Sequence, residues 1–177
     1  NIGVNPLRTG IIDILLKMGA NIKLTNRRTI CNEPVADINV KYSQLSPINI
    51  SGDIISRLID ELPILFIACA TCKDPSLIED IHELRYKESD RIEAMENGLK
   101  KLGIAIISTE NSIKITGGIF GGGIVDSYGD HRIAMSFLIA GLVSNKPITV
   151  LNTSNINTSF PNFEDILRNQ KIDIYKI

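Results

Sequence analysis

An amphipathic helix that ends at a glycine and leads directly into a strand occurs twice in this sequence. The first copy is Leu16-Lys17-Met18-Gly19-Ala20-Asn21-Ile22, and the second is Lys100-Lys101-Leu102-Gly103-Ile104-Ala105-Ile106. Residues 167–174 echo the step from helix to strand without the glycine. Such repetition indicates a domain built from copies of one α/β element. The copies are too irregular for a solenoid and no low-complexity linker separates them, so we expect one domain.

Hydrophobic periodicity and end signals divide the rest of the chain into helices and strands. Helices are predicted from Asn5-Pro6 to Gly19, after Pro63 to Ala70, over Ser89–Leu102, His131–Val143 and Pro161–Arg168. Strands are predicted over residues 20–24, 35–40, 104–108, 112–116, 148–151 and 172–175. The helix after Pro63 is apolar on nearly every side, which is typical of a buried helix.

Composition excludes several classes of function. The chain has 177 residues, 44% hydrophobic and 22% charged, with a net charge of −1. The near-zero charge argues against a broad nucleic-acid surface, and no apolar run reaches the roughly 18 residues of a membrane span. The N-terminus shows no signal-peptide pattern, so a cytoplasmic protein is expected. Cys69 and Cys72 form a C-x-x-C pair, but their apolar surroundings predict buried thiols and no metal site.

The segment Lys87-Glu88-Ser89-Asp90-Arg91 is the first candidate site. Lys87 and Arg91 lie four residues apart across a predicted helix start, so both can face the same way. Two cations beside free backbone N–H groups favour a phosphate or carboxylate ligand. Glu88 between them could exchange a proton once a substrate excludes water. On spacing alone, a solvated helix end with mixed charges explains the same residues.

Two further points could complete an anion site. In Tyr128-Gly129-Asp130-His131-Arg132, Asp130 is a candidate N-cap, and two basic residues occupy the first helical turn. Cations are unfavourable there, which suggests that an anion binds nearby. A structural histidine is an equally good interpretation of His131. Asp60 precedes the buried helix and is either a loop residue or a carboxylate at a cleft mouth.

These segments, in this order, resemble the EPSP synthase family (3-phosphoshikimate 1-carboxyvinyltransferases). The resemblance rests on five stretches and covers essentially the whole chain. The R-x-K-E-S-D-R and Y-G-D-H-R-I-A-M stretches are its most specific parts. The five stretches are Asn5–Gly10, Asp60–Pro63, Glu83–Arg91, Tyr128–Met135 and Ser159–Pro161.

The resemblance implies an α/β fold, an inside-out α/β barrel in which repeated units pack helices inside and sheets around them. Residues 1–177 would form most of the C-terminal domain of a two-domain enolpyruvyl transferase. The N-terminal domain, absent from this chain, would be its partner across the active-site cleft. The full-length enzyme is expected to be a cytoplasmic monomer without a metal or organic cofactor.

The implied reaction transfers the enolpyruvyl group of phosphoenolpyruvate to the 5-hydroxyl of shikimate 3-phosphate and releases phosphate, a step of aromatic amino acid biosynthesis. By resemblance, Asp60 contacts the attacking hydroxyl and accepts its proton, and Glu88 exchanges the methylene proton. Lys87 contacts shikimate 3-phosphate and assists proton transfer. Arg91 and Arg132 bind phosphoenolpyruvate. Asp130 and His131 are further candidates without an assigned role.

One position departs from the pattern of some relatives. Thr158 stands where they carry a lysine three residues before the proline of the S/T-F-P stretch, so that contact is not assigned. Three alternatives stay open. The chain could belong to a transferase acting on UDP-N-acetylglucosamine, it could be a non-catalytic fragment with half a site, or it could be a phosphate-binding regulatory domain.

Overall fold

The helices and strands alternate along most of the chain. The computed structural model describes residues 1–175; the last two residues of the predicted domain range lie outside this part. The helices are α1 Gly10–Lys17, α2 Leu62–Ala70, α3 Arg91–Lys101, α4 His131–Ala140, α5 Ile156–Ser159 and α6 Phe163–Asn169. The strands are β1 Ile2–Gly3, β2 Asn21–Ile30, β3 Glu33–Lys41, β4 Asn49–Ile50, β5 Ser76–Glu79, β6 Ala105–Ser108, β7 Ser112–Thr116, β8 Gly123–Asp126 and β9 Ile148–Leu151.

The strands form three sheets that repeat one pattern. The central sheet has the order β4-β5-β7-β6, in which β4 and β5 are parallel and the other pairs antiparallel. In the β1-β3-β2 sheet, the middle strand β3 is antiparallel to both of its neighbours. Strand β7 has the same arrangement between β5 and β6 in the central sheet. The β8-β9 sheet is a parallel pair like β4-β5. Each outer sheet therefore corresponds to part of the central one, which agrees with the repetition in the sequence.

The helix ends repeat in the same way. Gly19 and Gly103 have φ angles of +89° and +84°, the left-handed conformation that glycine adopts without strain. The next residue then donates its N–H to a carbonyl near the helix end, Ala20 to Leu15 (2.9 Å) and Ile104 to Leu99 (3.0 Å). The third copy makes the same bond from Ile172 to Leu167 (3.2 Å). Lys171 has the left-handed conformation there, so residues 167–174 repeat this helix end in the structure although they lack the glycine.

The main core lies between the central helices and the sheets. Seven of the nine residues of α2 are buried. Helices α2, α3 and α4 contact one another, while α2 packs on β7, α3 on β6 and β8, and α4 on β9. The predicted α/β fold with helices inside and sheets around them is thus observed. Within residues 1–175, no helix is both long and apolar enough to cross a bilayer.

Several predicted element boundaries are wrong. Helix α1 begins at Gly10, not at Pro6, because Asn5 closes a turn: its side chain accepts the N–H of Leu7 (3.0 Å) and its carbonyl accepts that of Arg8 (2.8 Å). Residues 172–175 form no strand. Helix α4 stops at Ala140.

The two cysteines of the C-x-x-C pair are buried, as expected. Cys69 lies in α2 with no exposed surface, and Cys72 is 2% exposed. Burial raises the pKa of the Cys69 thiol to about 12. A thiol with so high a pKa is inert near neutral pH, which fits a role in packing.

Candidate active site

Helices α3 and α4 begin side by side, and each is capped by an aspartate. Asp90 accepts the N–H of Glu93 at 3.0 Å at the start of α3. Asp130 accepts the N–H of Arg132 at 2.8 Å and that of Ile133 at 3.4 Å at the start of α4. The N-terminus of a helix carries partial positive charge and favours anions. Both specific stretches of the sequence therefore lie at two neighbouring helix N-termini.

Arg91 joins the two helix starts. Its side chain is 1% exposed, and its Nε donates to Oδ2 of Asp130 at 2.8 Å. Its Nη2 donates to Oε2 of Glu88 at 2.5 Å. Its Nη1 lies 3.5 Å from Oδ1 of Asp60 and makes no hydrogen bond within the described residues. A buried guanidinium with one nitrogen that lacks a hydrogen bond can donate one to a further oxyanion.

Asp130 is the buried counter-ion of this arginine. Its side chain has no exposed surface, and the hydroxyl of Ser89 also donates to it at 3.2 Å. Burial raises the pKa of the Asp130 carboxyl. The hydrogen bond and charge of Arg91, with the N–H groups of Arg132 and Ile133, outweigh that effect and hold the pKa below its ordinary value. Asp130 is therefore an anion that fixes Arg91 and caps α4 at once.

Arg132 brings Asp60 to the same place. Its Nη1 donates to the backbone carbonyl of Asp60 at 2.9 Å, and its Nη2 lies 3.4 Å from the Asp60 carboxylate. Glu61 is 3.7 Å from the same guanidinium. The Asp60 carboxylate, 32% exposed, thus lies between Arg91 and Arg132. We call Asp60, Glu61, Glu88, Arg91, Asp130 and Arg132 the ionic cluster.

Within residues 1–175, the side chains of two predicted residues form no hydrogen bond or ion pair with the ionic cluster. Lys87 precedes Glu88 in the chain, but its ammonium pairs with Glu83 at 2.6 Å. His131 is partly buried, and its side chain makes no hydrogen bond among residues 1–175. Thr158, at the position that departs from some relatives, donates its hydroxyl to the Asn155 carbonyl at 2.7 Å.

Two surface depressions flank the ionic cluster. One is lined by Asp60 and Glu61 together with Arg8 and Arg57. The other is lined by Glu88, Ser89, Asp90, Glu93, Ala94 and Tyr128. Arg91 contacts both Asp60 and Glu88, so it connects the walls of the two depressions. The cluster is thus accessible from two sides, although Arg91 itself is buried.

Sequence reasoning assigned no role to several residues around the cluster. Arg57 binds Asp13 at 2.7 Å, across 44 residues of sequence, and no local pattern signals that pair. Arg85 lies inside the R-x-K-E-S-D-R stretch, and its distance of five residues from Asp90 could have suggested the 2.6 Å ion pair between them. Ser89 lies in the same stretch, but its contact with Asp130 depends on how α3 and α4 pack.

Comparisons with known proteins agree on one family. The family model described as EPSP synthase (3-phosphoshikimate 1-carboxyvinyltransferase) matches residues 1–167. A curated 3-phosphoshikimate 1-carboxyvinyltransferase from Magnetococcus marinus is 50% identical over 170 residues, covering 94% of this chain and 38% of that protein. The chain therefore spans about 38% of the length of the curated relative it matches.

Solved structures show the same similarity. EPSP synthase from Acinetobacter baumannii superposes with a TM-score of 0.92 and 44% identity, covering 95% of this chain and 40% of that one. The enolpyruvyl transferase NikO from Streptomyces tendae superposes with a TM-score of 0.70 at 19% identity, covering 95% of this chain and 36% of that one. The second likeness concerns the fold alone.

Proposed function

The chain belongs to the EPSP synthase family, and we propose that it provides one wall of an active site that transfers the enolpyruvyl group of phosphoenolpyruvate to the 5-hydroxyl of shikimate 3-phosphate. The observation that carries this proposal is the ionic cluster. Two guanidinium groups and two helix N-termini converge beside carboxylates that can exchange protons. Substrates with two phosphates and two carboxylates require cations and N–H donors of this kind.

Arg91 and Arg132 bind phosphoenolpyruvate in this proposal. Arg91 is held by Asp130 and Glu88, so its orientation is set before the substrate arrives, and its Nη1, which makes no hydrogen bond within residues 1–175, lies 3.5 Å from the Asp60 carboxylate. Binding energy is then not lost in ordering the side chain. Arg132 is 29% exposed and bound to Asp60, so a phosphate must share Arg132 with Asp60 or displace it.

Asp60 contacts the attacking hydroxyl and accepts its proton. That hydroxyl oxygen bonds to the central carbon of phosphoenolpyruvate while the methylene carbon gains a proton. In the elimination step the new methyl carbon loses a proton, the carbon–oxygen bond to phosphate breaks, and the double bond re-forms. Glu88 exchanges the proton at this carbon. Its carboxylate is 52% exposed and lines a depression beside Arg91, so a substrate can reach it.

Lys87 contacts shikimate 3-phosphate and assists proton transfer. Its ammonium is paired with Glu83, a carboxylate 63% exposed. A surface pair of this kind contributes little free energy, about 0 to 1 kcal/mol. A substrate phosphate can therefore displace Glu83 at small cost.

The remaining assignments concern the whole protein. Residues 1–177 would form most of the C-terminal domain of a two-domain, cytoplasmic, monomeric transferase, and an N-terminal domain outside these residues would face the ionic cluster. The charges support a second domain that completes the site, because the ionic cluster has two arginines and four carboxylates. Such a cluster needs cations from elsewhere to hold two anionic substrates.

A chimera tests the proposal. This chain replaces the matching segment of the Acinetobacter baumannii EPSP synthase, and phosphate release from phosphoenolpyruvate is measured with shikimate 3-phosphate as acceptor. We expect turnover that Glu88→Gln lowers by about 100-fold or more with little change in substrate binding, because the substitution removes the exchangeable proton and keeps the shape.

The matched control is Glu110→Gln, which changes an exposed glutamate on the β6–β7 turn and should leave turnover unchanged. Turnover with UDP-N-acetylglucosamine alone as acceptor contradicts the choice of substrate. Unchanged turnover in Glu88→Gln contradicts the role of that residue.

A further inference from the structure

We propose that Arg8 is an additional substrate-binding residue of this site, and that it binds an oxyanion of the acceptor in the depression beside Asp60. The inference rests on the function proposed above, in which Asp60 contacts the acceptor hydroxyl. Arg8 and Asp60 line the same depression although they are 52 positions apart in the sequence.

The turn that carries Arg8 is held in place before any ligand binds. Asn5 accepts the N–H groups of Leu7 and Arg8, which closes a tight turn ahead of α1. Arg57 donates its Nε to the Pro6 carbonyl at 2.9 Å and its Nη2 to Asp13 of α1 at 2.7 Å. The Arg57 side chain, three residues before Asp60, therefore binds both the turn that carries Arg8 and helix α1 after it.

Close packing at Gly10 holds the two segments together. A Cβ atom at Gly10 would lie 2.7 Å from the carbonyl oxygen of Arg57, a distance that real Cβ atoms do not reach. Only glycine lets α1 approach the backbone of residue 57 this closely. The position of Arg8 relative to Asp60 is thus set by backbone contacts, while the Arg8 side chain remains exposed.

Arg8 differs from the other cations near Asp60 in having no partner. Each of the others is paired with a carboxylate, namely Arg57 with Asp13, Arg91 with Asp130 and Glu88, and Arg132 with Asp60. Within residues 1–175, the guanidinium of Arg8 makes neither an ion pair nor a hydrogen bond. Its full charge is available to a ligand at the edge of an otherwise carboxylate-rich cluster.

The chemistry of a guanidinium suits this task. Its planar fork can hold two oxygens of one phosphate or carboxylate, and it stays charged at every working pH. The acceptor carries a carboxylate and a 3-phosphate on the ring that bears the reacting hydroxyl. The proposal places the hydroxyl at Asp60 and one of these oxyanions at Arg8, because both residues line the same depression.

Binding to the full chain tests the inference. Shikimate 3-phosphate is titrated into the isotope-labelled chain and its dissociation constant is measured by NMR for the unaltered protein, Arg8→Gln, Arg8→Lys and Arg27→Gln. Arg8→Gln should weaken binding about tenfold, and Arg8→Lys should weaken it less, because lysine keeps the charge but not the fork. Arg27 is an exposed arginine of β2 outside the depression, so its substitution should have no effect.

Three results overturn the assignment of Arg8. The first is a dissociation constant for Arg8→Gln within twofold of the unaltered chain while Lys87→Gln weakens binding, which leaves the proposed function intact. The second is equal weakening by Arg27→Gln. The third is a lack of binding of shikimate 3-phosphate by the unaltered chain. In that case, phosphate release by the chimera tests the proposed enolpyruvyl transfer separately. Parallel titrations with shikimate and inorganic phosphate show which oxyanion Arg8 holds.

Discussion

At the scale of single residues, the carboxylate of Asp130 has two functions that can be separated. Its Oδ1 caps α4, and its Oδ2 accepts the shorter hydrogen bond from the buried Arg91, at 2.8 Å against 3.4 Å at Oδ1. Asparagine caps a helix about as well as aspartate, so Asp130→Asn removes mainly the charge. Breaking a buried ion pair costs about 3 to 5 kcal/mol. We expect the free energy of unfolding at pH 7 to fall by about 3 kcal/mol, as measured by urea denaturation.

The effect of this substitution should depend on pH with a definite sign. The pKa of Asp130 is lower in the folded chain than its ordinary value, so the charged form is favoured by folding. That contribution is present above the unfolded-state pKa of about 3.9 and is lost as pH falls through the folded value. The difference between Asp130→Asn and the unaltered chain should therefore shrink below about pH 4. Asp53→Asn, at an exposed site, is the control; a difference that stays constant to low pH contradicts the assignment.

The residues of the ionic cluster were largely predictable, but their connections were not. Asp60, Glu88, Arg91, Asp130 and Arg132 were candidates because they lie at predicted helix starts, and the resemblance then gave roles to all of them except Asp130. The pairing of Arg91 with Asp130 spans 39 residues, and it depends on how α3 and α4 cross. Spacing within a helix therefore could not show that these residues share one site, and the clamp made by Arg57 had no local signal at all.

At the scale of elements, the crossing of α3 and α4 depends on Gly98. A Cβ atom at this position would lie 2.1 Å from the ring of Phe137, which is fully buried. Alanine is better than glycine in a helix by about 1 kcal/mol, but overpacking a core costs about 1 to 3 kcal/mol. We expect Gly98→Ala to lower the free energy of unfolding in spite of the gain in helix propensity.

A second substitution separates the clash from other effects. Phe137→Leu in the Gly98→Ala background removes the ring and should restore part of the lost stability. Gly3→Ala is the control, because nothing lies within 4 Å of a Cβ atom there. If Phe137→Leu costs as much in the double variant as alone, the two residues are not coupled and the contact does not set the crossing.

The sequence predicted elements best where a cap and a periodic face coincide. The helix start at Asp130, the glycine ends at Gly19 and Gly103, and the β6–β7 hairpin are all observed. Strands β4, β5 and β8 have two to four residues and were missed, because pairing and not local pattern makes such short segments extended. Residues 172–175 have the composition of a strand but pair with no other strand among residues 1–175.

At the scale of the whole molecule, the charges limit what this chain can do alone. The two arginines of the ionic cluster are neutralised by carboxylates, and Lys87 is paired with Glu83. We therefore expect the purified chain to release no measurable phosphate from phosphoenolpyruvate and shikimate 3-phosphate, whereas the chimera does. Steady turnover by the 177 residues alone would show that one wall suffices and would contradict the need for a second domain.

The three sheets of the repeated unit should also differ in stability. Strand β5 has a partner on each side, β4 and β7, whereas within residues 1–175 strand β9 pairs only with β8. A two-stranded sheet is marginal by itself, so its hydrogen bonds open more often, although α4 packs against β9. We expect the hydrogen-bonded amides of β8 and β9 to exchange with deuterium at least tenfold faster than those of β5, measured residue by residue by NMR. Equal protection in the two sheets would mean that packing against α4, and not the number of paired strands, sets the local stability of this fold.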